Sequence, residues 1–190
     1  MENYSIDGKR IPYRNPKEKV KGSAVFTSDI KLNGMLYGKI LRATLPHAEI
    51  RSIDISKAAK LKGVKAIITS QDTPLVKYSI SPTWADQMVL DDQKIRYIGD
   101  EIAAVAAVTE EIAEEALDLI EVDLEELPGV YDPLEAMKEG APLIHDDVRN
   151  NISKRLTMEC GSVEEGFAEA DLILEDTFQT QAQAHCSLET

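Results

Sequence analysis

Three histidines and two cysteines carry most of the metal-ligating and nucleophilic capacity of this 190-residue chain. His145, Asp146 and Asp147 form the tightest cluster. A metal site needs three or four such ligands converging on one point, and an acidic trio in sequence is more commonly a solvated loop. His185 and Cys186, with Glu189 nearby, form a second cluster, but strand alternation would separate their side chains. His47 follows Pro46 in a loop between two strands. Acids paired between 110 and 126 offer general acid and base groups, yet their positions suit a helix first turn and the outer face of an alternating strand. Gly34 and Gly38 lack both the dinucleotide fingerprint and the Lys-Ser/Thr of a phosphate loop. No Gly-x-Ser-x-Gly and no workable Ser–His–Asp order is present. Cys160 and Cys186 are too few and too far apart for a zinc or iron–sulfur ligand set. Motifs therefore assign no catalytic residue, no cofactor-binding residue and no metal ligand.

The elements that would position such groups are clearer. MLYGKILR (35–42) and IRSIDI (50–55) read as strands. Ser56 can cap a short helix from Lys57 to Lys62 with Gly63 as its stop, and VKAIIT (64–69) follows as a buried strand. Residues 70–93, with Pro74, Pro82 and the single Trp84, show no periodicity and read as a long loop. EIAAVAAV (101–108) is a solid apolar run, the pattern of a strand covered on both faces. Thr109 caps the next helix, whose apolar stripe is Ile112, Ala113, Ala116, Leu117 and Ile120. The period then changes to two, with Ile120, Val122 and Leu124 alternating with acids. Asp132-Pro133-Leu134-Glu135 opens another helix with Gly140 as stop, and Ser162-x-x-Glu165 is a capping box. Residues 171–185 read as a long extended segment without a partner in the chain. Strand–helix–strand occurs twice, which predicts an α+β fold: a mixed sheet with packed helices, then a partial strand–helix–strand piece of a second domain.

Charge adds a context. The formal net charge is −13, which argues against duplex nucleic acid or anionic membrane as the main partner. Residues 1–70 carry 14 basic and 6 acidic side chains, whereas 71–190 carry 7 basic and 28 acidic ones. The basic segment 1–21 has little to bury and is expected to be a poorly ordered arm. No apolar run approaches the roughly 20 residues of a membrane span, and the N-terminus has no apolar core of signal-peptide length. A cytoplasmic protein with reduced thiols is the simplest expectation.

Taken in order, the segments resemble the N-terminal part of the molybdopterin-binding large subunit of the molybdenum hydroxylases, the xanthine dehydrogenase and aldehyde oxidase family. The likeness runs through KVKGSAVFTSDI (19–30), residues 34–72 with LRATLPHA, residues 94–137 with RYIGDEIAAV, APLIHDDVRNNI (141–152), and residues 161–190 ending in QAHCSLET. The resemblance implies a basic arm (1–21), an α/β hammerhead domain (22–140), a connector (141–160) and the incomplete beginning of a molybdopterin-binding domain (161–190). It also implies hydroxylation of a carbon centre in the full subunit, with molybdopterin carrying molybdenum there and iron–sulfur and FAD in partner subunits. The glycine-rich pterin loops and the glutamate base of the family are not in this stretch, so no cofactor is expected in the chain itself. The expected role is a non-catalytic structural module contacting the remaining molybdopterin domains and the iron–sulfur and flavin subunits. A homo-oligomer through the C-terminal segment is a further expectation. The alternative is a free-standing interaction adaptor that reuses the fold.

Overall fold

The computed structural model describes residues 10–11, 14–79, 85–91 and 93–184. Most of the basic arm, Trp84 and the His185–Cys186–Glu189 cluster lie outside them. The chain divides into two units, residues 34–161 and the two ends, 1–33 with 162–190.

In the unit made of the ends, the elements are short. Asn15 and Gly22, both left-handed, bracket helix α1 (Pro16–Lys21), with proline in its first turn. None of its residues is buried. The arm expected to be poorly ordered carries this short exposed helix over 16–21. The later helix of this unit, Val163–Glu169, starts where the capping box predicts, with the Ser162 hydroxyl accepting from the Glu165 N–H. The segment expected to be extended and without a partner over 171–185 joins no ladder over its described residues 171–184, and all of them are exposed. Without a neighbouring strand, its backbone groups have no ladder to join.

The 34–161 unit holds two three-stranded sheets. Strands β1 (Tyr37–Arg42), β2 (Ala48–Asp54), β3 (Val64–Thr69), β4 (Lys94–Ile95), β5 (Glu101–Ala107) and β6 (Glu121–Glu126) are joined by few helices. One sheet has the order β1-β5-β3 and the other β4-β2-β6. The helix after β5, α2 (Glu110–Asp118), crosses to the second sheet, so β6 pairs antiparallel with β2 and makes no parallel partner for β5. All strand pairings are therefore antiparallel, rather than the mixed sheet expected, while the α+β class is as read.

The helix expected at 57–62 is only a 3₁₀ turn over Ala58–Lys60. Asp54 Oδ1 takes the Ser56 N–H at 2.8 Å, and Leu61 is already extended. Strand β3 is not fully buried: Lys65, Ala66 and Ile68 are exposed. The proline-started helix α3 (Pro133–Ala136) ends four residues before Gly140. The helix at Val163–Glu169 is α4.

Two apolar clusters form the core. Ala103 and Val105 of β5 pack with Ala116 of α2, Ala58 and Ile120. Ala43, Ala48, Ile95 and Ile102 form the second cluster, bordered by Val122 and Leu124. Gly63 sits where β3 approaches α2: its φ is +106°, and a Cβ there would lie 2.8 Å from Ile112 Cδ1. At the helix start, the Thr109 hydroxyl accepts the Ile112 N–H at 3.3 Å. Thr109→Ala is predicted to lower the unfolding free energy by about 1 kcal/mol, and Thr109→Ser to retain most of it, read by urea titration. Gly63→Ala should cost more than Thr109→Ala in the same titration, because it adds both backbone strain and a clash.

Candidate functional site

Asn151 braces the His145 loop through three hydrogen bonds. Asn151, left-handed at φ 53°, accepts the Ile144 N–H at 2.9 Å and donates to the Ala136 and Pro142 carbonyls at 2.9 Å each. Asparagine tolerates that conformation and can both donate and accept. The first part of the expected connector is thus a loop braced by side-chain hydrogen bonds. It forms one wall of a cavity of about 530 Å³ lined by Tyr131, Pro133, His145, Asp147 and Val148, with Lys77 and Asp86 opposite.

The acidic trio does not converge. Lys94 Nζ reaches Asp146 Oδ1 at 2.6 Å and Lys77 Nζ reaches Asp147 Oδ2 at 2.8 Å, two lysines drawing the two acids apart. Each ammonium holds its carboxyl below the ordinary range. Burial pushes His145 down, and the Arg96 charge adds to this. Among the described residues no group of three or more His, Cys, Asp or Glu side chains is placed to hold a metal ion. Four of the acids of 110–126 are likewise in ion pairs. Lys39 lies 2.6 Å from Glu110 and 2.9 Å from Glu114, Lys57 pairs with Glu121, and Arg51 with Glu125. His47 is 3% exposed and its Nδ1 lies 2.7 Å from the Pro128 carbonyl, tying the start of β2 to the end of β6. Gly38 is an interior residue of β1. The His185–Cys186–Glu189 cluster lies outside the described residues.

The group that motif reading missed is Asp91, Arg96 and Asp100. Both acids are buried. Arg96 Nη1 donates to Asp91 Oδ1 at 2.9 Å and Oδ2 at 3.1 Å, and Asp100 Oδ2 accepts the Arg96 backbone N–H at 3.0 Å. The two acids match no motif spacing, and Asp91 sits in a stretch without periodicity. The arrangement pins the turn from β4 to β5. The guanidinium pairs with Asp91, while Asp100 holds only the Arg96 backbone N–H, so its buried charge is poorly compensated. Burial raises Asp100 to about 6, with Asp91 adding to the effect.

These groups brace loops and carry no nucleophile–base geometry, so comparison with known proteins decides the context. The family model for "Aldehyde oxidase and xanthine dehydrogenase, a/b hammerhead domain" matches residues 21–128. The chain belongs to this family. A second model, for a molybdopterin cofactor-binding domain, matches residues 144–190. A probable xanthine dehydrogenase subunit of Bacillus subtilis is 44% identical over 90% of this chain and 23% of its own length. The nicotinate dehydrogenase large molybdopterin subunit of Eubacterium barkeri is 37% identical over 99% of this chain and 44% of its own length. Among solved structures, quinoline 2-oxidoreductase from Pseudomonas putida 86 superposes with a TM-score of 0.65 at 30% identity, covering 74% of this chain and 19% of that one. CO dehydrogenase from Oligotropha carboxidovorans gives 0.63 at 39% identity, covering 67% and 16%. The chain thus spans less than half the length of these relatives.

The described residues do not make a pterin cradle. From Ser162 to Ala184 every one is exposed, so this stretch offers no buried donor to hold a ligand. No helix of the described residues is long and apolar enough to cross a membrane.

The Asp100 environment gives a pH prediction. A carboxyl raised in the folded state favours folding when protonated, so its contribution is fully present below its ordinary value near 3.8 and is lost as pH rises to about 6. Asp100→Asn keeps an acceptor for the Arg96 N–H and removes the buried charge. Across pH 4–6.5 the variant should gain stability relative to the native chain, with a constant difference above that window, measured by thermal unfolding. A difference that does not change with pH would show that Asp100 is not perturbed.

Proposed function

We propose that this chain acts as a non-catalytic structural module of a molybdenum hydroxylase large subunit. It would support that subunit's molybdopterin-binding domains and its contacts with iron–sulfur and flavin subunits. On this reading 22–140 is the hammerhead body, 141–160 the connector and 161–190 the start of the cofactor-binding domain. The observation that carries the proposal is the division of labour along the chain. The hydrogen-bonded sheets and both apolar clusters lie within 34–161, and the polar groups there are engaged in bracing that body. Residues 162–184, by contrast, expose Phe167, Leu172, Leu174 and Phe178 and pair with no strand. That is the state of a segment whose partners belong to a larger domain. The similarity of 144–190 to a molybdopterin cofactor-binding domain supports assigning the last part of the chain to such a domain.

The purified chain is predicted to bind no molybdenum, iron–sulfur cluster or flavin stoichiometrically, because neither clustered thiolates nor a donor-lined cradle is available among its described residues. Elemental analysis and the visible absorption spectrum check this. Stoichiometric molybdenum or iron in the isolated chain would overturn the non-catalytic reading.

A further inference from the structure

Asn33 is the last residue of the first chain end, and Gly34 is the first of the 34–161 unit. The two form a turn in which both are exposed. Gly34 is left-handed at φ +77°, and a Cβ built on it would meet nothing within 4 Å. Among the described residues, neither the Asn33 amide nor the Gly34 N–H has a hydrogen-bond partner. The other asparagines are placed differently. Asn15 precedes Pro16, which has no N–H. Asn151 precedes β-branched Ile152, and its amide is committed to the Ile144 N–H and to the Ala136 and Pro142 carbonyls. Asn150 precedes Asn151, whose Cβ crowds the intervening nitrogen as a glycine cannot. Asn3 lies outside the described residues.

We propose that Asn33–Gly34 is a self-modifying site, at which the chain deamidates without an enzyme. The Gly34 backbone nitrogen, once deprotonated, attacks Asn33 Cγ and closes a succinimide ring. The Cγ–Nδ2 bond breaks, and the side-chain nitrogen leaves as ammonia, taking up the proton that the Gly34 N–H gave away. Water then opens the imide at either carbonyl. One opening leaves aspartate at position 33, and the other leaves isoaspartate, whose main chain runs through Cβ. No oxidant or reductant takes part. Ring closure requires the backbone to rotate so that the following nitrogen meets Cγ, and glycine resists that rotation least. An exposed turn without hydrogen bonds at either group adds no further restraint. The consequence is covalent: the chain gains a negative charge and, as isoaspartate, an extra main-chain atom just ahead of β1.

The test ages the purified full chain at mildly alkaline pH and body temperature, then maps its tryptic peptides by mass. Trypsin cuts after Lys31 and Lys39, so the peptide Leu32–Lys39 isolates the site. Its mass should rise by the difference between an amide and an acid, faster as pH rises, because attack needs the deprotonated nitrogen. An isoaspartyl methyltransferase with S-adenosylmethionine should label this peptide from the aged chain and not from fresh chain. Exposed turns open at almost no cost, so the folded chain should react within about threefold of a synthetic peptide spanning 28–39. The peptide Asn150–Lys154 should keep its mass over the same period. Asn33→Gln, exposed and free of partners, should abolish the change, because its longer side chain closes a ring far more slowly. If Leu32–Lys39 from the folded chain keeps its amide mass while the synthetic peptide converts, the turn protects Asn33 and the proposal is overturned. If Asn150–Lys154 converts as fast, the turn does not select the site and the proposal is equally overturned.

Discussion

Strand β5 must have both backbone edges paired and at least one side buried, and the 34–161 unit is arranged around that requirement. β1 takes one edge and β3 the other. Its odd-numbered residues, Ala103, Val105 and Ala107, are almost completely buried, and Ile102 reaches the second cluster. The interior is built largely of alanine: Ala43, Ala48, Ala58, Ala103, Ala107, Ala113 and Ala116 are buried, and Ile95 is the largest side chain with essentially no exposure among the described residues. Small residues let helix and sheet backbones approach closely. They also leave little room to enlarge a side chain without shifting an element.

Charge plays a different role in the two places where it is concentrated. The pairs joining β6 to β2 and to the turn before β3, Arg51–Glu125 and Lys57–Glu121, are more than half exposed on both sides, so each contributes little to stability. Their value is to offset an otherwise acidic edge strand. Arg96 with Asp91 is buried, and there the loss of one partner would leave an uncompensated charge in the interior. The turn between β4 and β5 therefore tolerates coordinated changes at these positions better than single ones.

Local signals were legible where they were short and chemical. Thr109, Asp132 and Ser162 each cap a helix as their side chains suggest, and the alternation after Ile120 reports β6. What was not legible depended on contacts distant in sequence. Lys57–Lys62 has helical composition, yet its few residues must bring β2 round to β3, and one 3₁₀ turn is all that fits. Two strands joined through a helix suggested parallel pairing, but the chain uses α2 to change sheets. The solid apolar run of β5 suggested cover on both faces, whereas Ala103, Val105 and Ala107 are almost fully buried and Ala104 and Ala106 only partly. Asp91, Arg96 and Asp100 lie close in sequence, but it is the turn between β4 and β5 that groups them, so no spacing rule announces them. The family resemblance, carried by LRATLPHA and RYIGDEIAAV, depended on none of this.

The pairing order has a consequence for synthesis on the ribosome. The first three strands to emerge have no ladder with one another: Tyr37 waits for Ala107, Ala48 for Ile95 and Glu126, and Thr69 for Ala103. At translation rates of about 5–20 residues per second, β1 remains unpaired for on the order of several seconds before β5 is available. During that interval Ile40, Leu41, Ile67 and Ile68 belong to strands with open edges. The nascent chain therefore passes through a window in which a holding chaperone has more to bind than it does on either side of it, and that window closes when β5 clears the exit tunnel.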